Sequence, residues 1–356
     1  MIPARMKGVF NLARRAKQGL PDVGLTPADV VHNENKWSLL RYRPRPEGVE
    51  PGRPIVLVPS LINRHYVLDL MPQKSFVEYL VDQGRDVYII DWGTPTAEDR
   101  FVTFDDIADR ILRRAFRLAA KFSGAPDVHV LGYCLGGTLT AIHAAVRPQR
   151  VASLTLLAAP VDFHDDGPLS QWTNTKSFDL DALVSATGLV PWPLMQAAFY
   201  MLRPTMILQK GMALVDRAWN DEFLDGFLAI ERWGNDNVSF PGECYKRYIG
   251  RLYRDNALIH DGFSLSGKRV RLSEIRCPVH AVTFGHDNIV PWRSAAKIMD
   301  VVGTEDKKHL HLPGGHVGAV VSKKAKHKLW PELLGWWRER DGGPVLRSLR
   351  GEASGG

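Results

Sequence analysis

Residues 128–145 read VHVLGYCLGGTLTAIHAA: a short apolar run, a cysteine set among glycines, then a run of small residues. Val128 to Leu131 has the continuous apolar character of a strand buried on both faces. Thr138 to Val146 reads as a helix, and Gly132-Tyr133-Cys134-Leu135-Gly136-Gly137 joins the two. That is the G-x-S-x-G turn between strand and helix with cysteine in the serine position. The glycines have a physical reason, because a helix that doubles back onto its own strand leaves no room for side chains at the crossing. The turn lifts the central residue out of the sheet and places the positive end of a helix dipole beside its sulfur. A cysteine between glycines is more often a small buried residue, and it is the strand-before, helix-after setting that marks Cys134 as a nucleophile. Cys244 and Cys277 lack such a setting and read as structural.

Outward from this turn, strands and helices alternate. Trp37 to Tyr42, Ile55 to Pro59, Val87 to Ile90 and Ala152 to Leu157 read as strands, with a helix near Gln73 to Asp82. A stronger helix starts at Thr103, which can cap it, with Asp106 three positions on and Ile107, Ile111, Ala115, Leu118 and Phe122 at helical spacing. The alternation stops near Asp162 and resumes with strand Val279 to Phe284, helix Arg293 to Val301, strand Lys308 to Leu312 and a last helix near Trp330 to Arg340. Apolar strands alternating with helices predict an α/β architecture, a mainly parallel sheet flanked by helices. The expected organisation is a helical lead-in over 1–36, a core from 37–161 and 273–342, an inserted and mostly helical cap over 162–272, and a flexible tail over 343–356.

In the α/β-hydrolase fold the acid follows a late strand and the histidine follows the last one. AVTFGHDNIVPW puts Asp287 after strand Val279 to Phe284, and HLHLPGGHVGAVVS puts His316 in a glycine-rich loop after Lys308 to Leu312. The imidazole is needed to move the thiol proton, and the carboxylate to fix its tautomer. Cys134, Asp287 and His316 are therefore the expected catalytic residues. The backbone N–H of Leu135 and that of Ile62, in the loop after strand Ile55 to Pro59, are the expected oxyanion donors. Asn63 and Arg64 of that loop read as anchors. His309 and His311 share one face of a strand, a spacing metal sites use, but no further ligands converge on them and no metal is expected. His286 adjoins Asp287 and points away from it.

Composition sets limits rather than a function. With 45% hydrophobic and 24% charged residues the 356-residue chain is of ordinary globular type. No apolar stretch reaches the roughly 20 residues of a membrane-crossing helix. The basic N-terminal segment lacks the apolar core and cleavage site of a secretory signal, so a cytoplasmic location is expected. Three widely spaced cysteines form neither a disulfide framework nor a zinc pattern. The net charge of +7, clustered at Arg14 to Lys17 and Lys323 to Lys328, reads first as solvated surface and second as attraction to an anionic substrate or to a lipid or granule surface. Nucleic acid is not an expected partner.

Seven stretches together resemble the polyhydroxyalkanoate synthases: VPSLINRHYVLDL (58–70), GRDVYIIDWGTP (84–95), LGYCLGG (131–137), PVDF (160–163), FPGECYKRYIGRLYRDNAL (240–258), HDNIVPW (286–292) and PGGHVGAVVS (313–322). The resemblance implies polymerisation of (R)-3-hydroxyacyl-CoA into polyester with release of CoA. Cys134 would be the acylated nucleophile, Asp287 the acid and His316 the general base. It implies no cofactor, since the CoA thioester is a substrate, and as partners the growing polyester chain, a storage-granule surface and a second copy of the chain. The length is similar to that of short catalytic subunits that act with a different second subunit. One position departs from the family pattern, with Asn288 where a histidine usually follows the aspartate. The same triad would also serve a thioesterase or polyester depolymerase, and the same fold a non-catalytic granule-binding protein.

Overall fold

The structure, a computed structural model, describes residues 4–341 apart from 166, 176–177 and 203–205. Strands β1 (Ala28–Glu34), β2 (Trp37–Tyr42), β3 (Ile55–Val58), β4 (Val87–Asp91), β5 (Val128–Tyr133) and β6 (Val151–Leu157) precede two short antiparallel pairs. These are β7 (Leu189–Val190) with β8 (Phe240–Pro241), and β9 (Ser264–Leu265) with β10 (Lys268–Arg269). β11 (Val279–Phe284) and β12 (Lys307–Leu312) complete an eight-stranded sheet in the order β1-β2-β4-β3-β5-β6-β11-β12. From β4 to β12 all neighbours run parallel, while β2 is antiparallel to both β1 and β4.

Every residue of β3, β5 and β11 is buried, because helices cover both faces. Alternate side chains of β3 feed separate cores. Val56 and Val58 join the cluster with helices α3 (Leu112–Ser123) and α4 (Leu135–Val146). Ile55 and Leu57 join the one with α2 (Phe76–Asp82) and the last helix. The predicted α/β class holds. In chain order β4 lies on one side of β3 and β5 on the other, so the strand order reverses between β3 and β5. The crevice beyond their carboxyl ends is where open α/β sheets place their ligands.

Two local expectations change. Among the described residues, the lead-in over 1–36 is helical only in α1 (Ala4–Gln18), and residues 28–34 form strand β1. That strand escapes a hydrophobic reading because it is a sheet edge with His32, Asn33 and Glu34 at one end and little burial. At the Thr103 helix the predicted cap is present: its hydroxyl accepts the Asp106 N–H at 3.1 Å, and Asp106 accepts the Thr103 N–H at 2.9 Å. The coil is nevertheless π-helical over Asp106–Ile111 before α3 begins. The tail over 343–356 lies outside the described residues.

Between β6 and β11 come α5 (Pro168–Thr173), α6 (Leu180–Thr187), α7 (Trp192–Met201), α8 (Met206–Arg217), α9 (Asp221–Asn235), α10 (Gly242–Arg247) and a π-helical turn, Tyr248–Arg254. α1 packs on α8. Part of the expected basic surface is paired here: Arg14 meets Asp221, Arg15 meets Asp225, and Lys323 meets Glu222 at 2.6 Å. Acidic residues in the first turn of α9 also suit its dipole. After β11 follow α11 (Trp292–Ala296), α12 (Ile298–Val301), α13 (Lys323–His327) and α14 (Leu329–Asp341).

Candidate active site

Cys134 follows β5 directly, with φ 55° and ψ −129°. A side chain at such positive φ is strained, and the strain is sustained by how tightly α4 is set against the sheet. A Cβ on Gly136 would press into the Val58 carbonyl and lie 2.6 Å from that of Pro59. One on Gly132 would collide with Gly137 and Thr140, and one on Gly137 with Ala159. The Cys134 N–H donates to the Leu157 carbonyl at 3.0 Å, tying the turn to β6.

The parallel strands bring the other two residues to the same edge. Asp287 lies three residues beyond β11 and His316 four beyond β12. Asp287 Oδ2 is 2.7 Å from His316 Nδ1. Its other oxygen, Oδ1, accepts the N–H groups of Ile289 and Val290, both at 2.9 Å, so the carboxylate is fixed from both sides. With Nδ1 turned to the acid, the remaining ring nitrogen is left for the thiol proton. Both Asp287 and His316 are only 8% exposed. Burial pulls the imidazole pKa down, but the charges of Asp287 and of a Cys134 thiolate, with hydrogen bonds to both, outweigh it and raise it to about 10.

Tyr133, a residue the motif leaves unspecified, supports the histidine. Its ring stacks on the imidazole at 5.2 Å between centroids and 26° between planes, and its hydroxyl donates to the His316 carbonyl at 3.1 Å. No sequence pattern announces this contact across 183 positions.

The expected oxyanion donors lie at the start of α4 and in the cavity wall. Leu135 opens α4, where the first amides have no intrahelical acceptor. Ile62 lies in the loop after β3, and its N–H meets the Ser60 hydroxyl at 3.4 Å. Arg64, read as an anchor, pairs with Asp236 at 3.1 Å, and its carbonyl accepts the Trp233 indole N–H at 2.9 Å. A cavity of about 420 Å³ opens over the sulfur, with Cys134, Ile62, Asn63, Phe199, Trp233 and His316 in its wall.

The remaining candidate residues have other partners. His286 is exposed at the cavity wall, and its N–H donates to the Gly314 carbonyl at 2.9 Å. His309 Nε2 and His311 Nδ1 both meet the Thr283 hydroxyl, at 2.9 and 2.8 Å. Among the described residues no group of three or more His, Cys, Asp or Glu side chains is placed to hold a metal ion. Burial pushes the thiols of Cys244 and Cys277 up, that of Cys277 to about 12, the direction expected of inert structural cysteines.

Residues 17–80 match a family described as the N-terminus of poly-beta-hydroxybutyrate polymerase (PhaC), and residues 53–319 match the alpha/beta hydrolase fold. The chain is 33% identical over 344 residues to the poly(3-hydroxyalkanoate) polymerase subunit PhaC of Allochromatium vinosum, covering 93% of this chain and 96% of the relative. The subunit of the same name from Haloferax mediterranei is 34% identical over 320 residues, covering 89% of this chain and 65% of the longer relative. Among solved structures, a carboxylesterase of Nitrososphaera gargenis aligns with a TM-score of 0.51 at 15% identity, over 88% of this chain and 98% of its own. At that identity the likeness speaks for the fold alone.

Proposed function

This chain belongs to the poly(3-hydroxyalkanoate) polymerase PhaC family, and on that premise we propose that it polymerises (R)-3-hydroxyacyl groups from CoA thioesters, with release of CoA, through an acyl group carried on Cys134. The observation that carries this reading is the Asp287–His316 pair at 2.7 Å, with His316 and a cysteine held at positive φ lining one cavity.

The Cys134 sulfur attacks the thioester carbonyl while its proton rests on His316, and Asp287 holds the imidazolium by Nδ1. The carbonyl oxygen takes the negative charge and is received by the N–H groups of Leu135 and Ile62. The bond to the CoA sulfur breaks, and that sulfur leaves with the proton from His316. The new Cys134 thioester is nearly as energetic as the old one, which keeps the acyl group activated. A chain-end hydroxyl then gives its proton to His316 and its oxygen attacks the Cys134 thioester. An ester forms, and the cysteine sulfur is released beside the imidazolium. Residues 162–272 act as the cap that favours the hydroxyl over water.

The partners that follow are the growing polyester at a granule surface, a second copy of the chain, and a different second subunit, in keeping with the relatives' description as subunits. No helix among the described residues is long and apolar enough to cross a membrane, which suits attachment at a surface.

The test is CoA release from 3-hydroxybutyryl-CoA by wild type and Cys134→Ala, with the product examined for insoluble polyester and the assay repeated with candidate partner subunits. Release with polymer, abolished by the substitution, is the expected result. Release of free hydroxy acid alone would make the protein a thioesterase. No release under any of these conditions would overturn the reading.

A further inference from the structure

The loop that carries Ile62 is held from across the cavity. The backbones at Asn63 and Asn237 form an antiparallel bridge, and the Val238 N–H donates to the Ile62 carbonyl at 3.3 Å. Side chains repeat the link. Asn63 Nδ2 donates to Asn237 Oδ1, and Asn237 Nδ2 donates in turn to Gln196 Oε1 of α7 and, at 3.0 Å, to the Gly234 carbonyl near the end of α9. Asn237 is only 8% exposed and both its amide atoms are engaged. Asn63, Asn237 and Gln196 all face the cavity that contains Cys134.

This geometry bears directly on one residue, whose carbonyl and N–H lie in the two peptides on either side of its Cα. Ile62 is held at its carbonyl by Val238, while its N–H has a long contact of 3.4 Å to the Ser60 hydroxyl, a weak bond that an oxyanion can displace. An amide donor helps catalysis only if its direction is fixed before charge develops. We infer that Asn237 is a positioning residue, aiming the Ile62 N–H at the thioester oxygen and tying the oxyanion site to helix α7 through Gln196. The oxyanion site is thus completed by residues more than 130 positions along the chain from Ile62, in the segment that covers the cavity. The inference rests on the roles proposed above for Cys134 and Ile62.

Two reactions of the same sulfur separate positioning from general damage. Alkylation by iodoacetamide needs the thiolate but generates no oxyanion, whereas acylation by 3-hydroxybutyryl-CoA generates one. In Asn237→Ala, single-turnover acylation is expected to slow by about 10- to 100-fold with alkylation within about twofold of wild type. Both variants leave the backbone Val238–Ile62 bond in place, but Asn63→Ala also spares the Asn237 bonds to Gln196 and Gly234, so it is expected to show the same split with a smaller loss, and serves if the first variant does not fold. Unchanged acylation in a folded variant, or an equal fall in both reactions, would overturn the inference while leaving the proposed function intact. A wild-type protein that alkylates but never acylates would overturn the proposed function, and this inference with it.

Discussion

Tyr133 stands beside the nucleophile in sequence and on top of the base in space. Removing only its hydroxyl, as in Tyr133→Phe, strands the His316 carbonyl while keeping the stacked ring. A buried acceptor left unpaired costs about 1–3 kcal/mol, so a lower urea midpoint is expected with the triad still assembled. Asp287→Asn acts differently, since an amide cannot accept the imidazole proton while its oxygen keeps the Ile289 and Val290 bonds. Loss of the right tautomer predicts CoA release slowed by about 10³- to 10⁴-fold, measured with the protein's thermal stability recorded alongside. Residue type alone does not make such a site. Ser153, His129 and Asp341 are linked in the same order, at 2.7 and 3.2 Å, yet Ser153 and His129 are wholly buried. That second array fastens the end of α14 to the sheet, and no substrate reaches it.

At the scale of elements, the turn between β5 and α4 is where local sequence and packing agree most closely. Gly136→Ala is expected to fail, because its methyl would enter the carbonyls at the end of β3. Insoluble protein, or a melting temperature far below wild type, is the outcome to look for, and a stable, fully active variant would contradict the packing described. The same agreement explains what could be read from sequence. Continuous apolar strands and the glycine-flanked cysteine carry short-range signals, so β3, β5, β11 and the strand-turn-helix around Cys134 were legible. Edge strand β1 was not, since its polar residues carry no period. Nor was the amide link from Asn63 to Asn237, which joins loops 174 positions apart and depends on the fold already being made.

For the molecule as a whole, charge sets a pH window. Burial raises the Asp341 carboxyl, but hydrogen bonds from His129 and Arg85 and the charge of Arg85 hold it well below the usual carboxylate range. Burial pushes His143 down to about 4, against its Ala108 carbonyl bond. Both groups bind fewer protons folded than unfolded at low pH, so their contribution is present at neutral pH and lost on acidification. His143 gives way from about pH 6.5 to 4 and Asp341 below about pH 4. His316 has the opposite sign: raised when folded, it supports the fold below pH 6.5 and loses that support as pH rises through about 10. Melting curves across pH should therefore fall at both ends, and Asp341→Asn should flatten the acid limb below pH 4. The central claim, that the acyl group is carried on Cys134, is tested most directly by mass spectrometry of the intact protein quenched within one turnover of 3-hydroxybutyryl-CoA. The account predicts a gain of one or more hydroxybutyryl units, located on the peptide containing Cys134 and absent in Cys134→Ala. Turnover to polymer with no adduct on that peptide, or with the adduct on another residue, would contradict it.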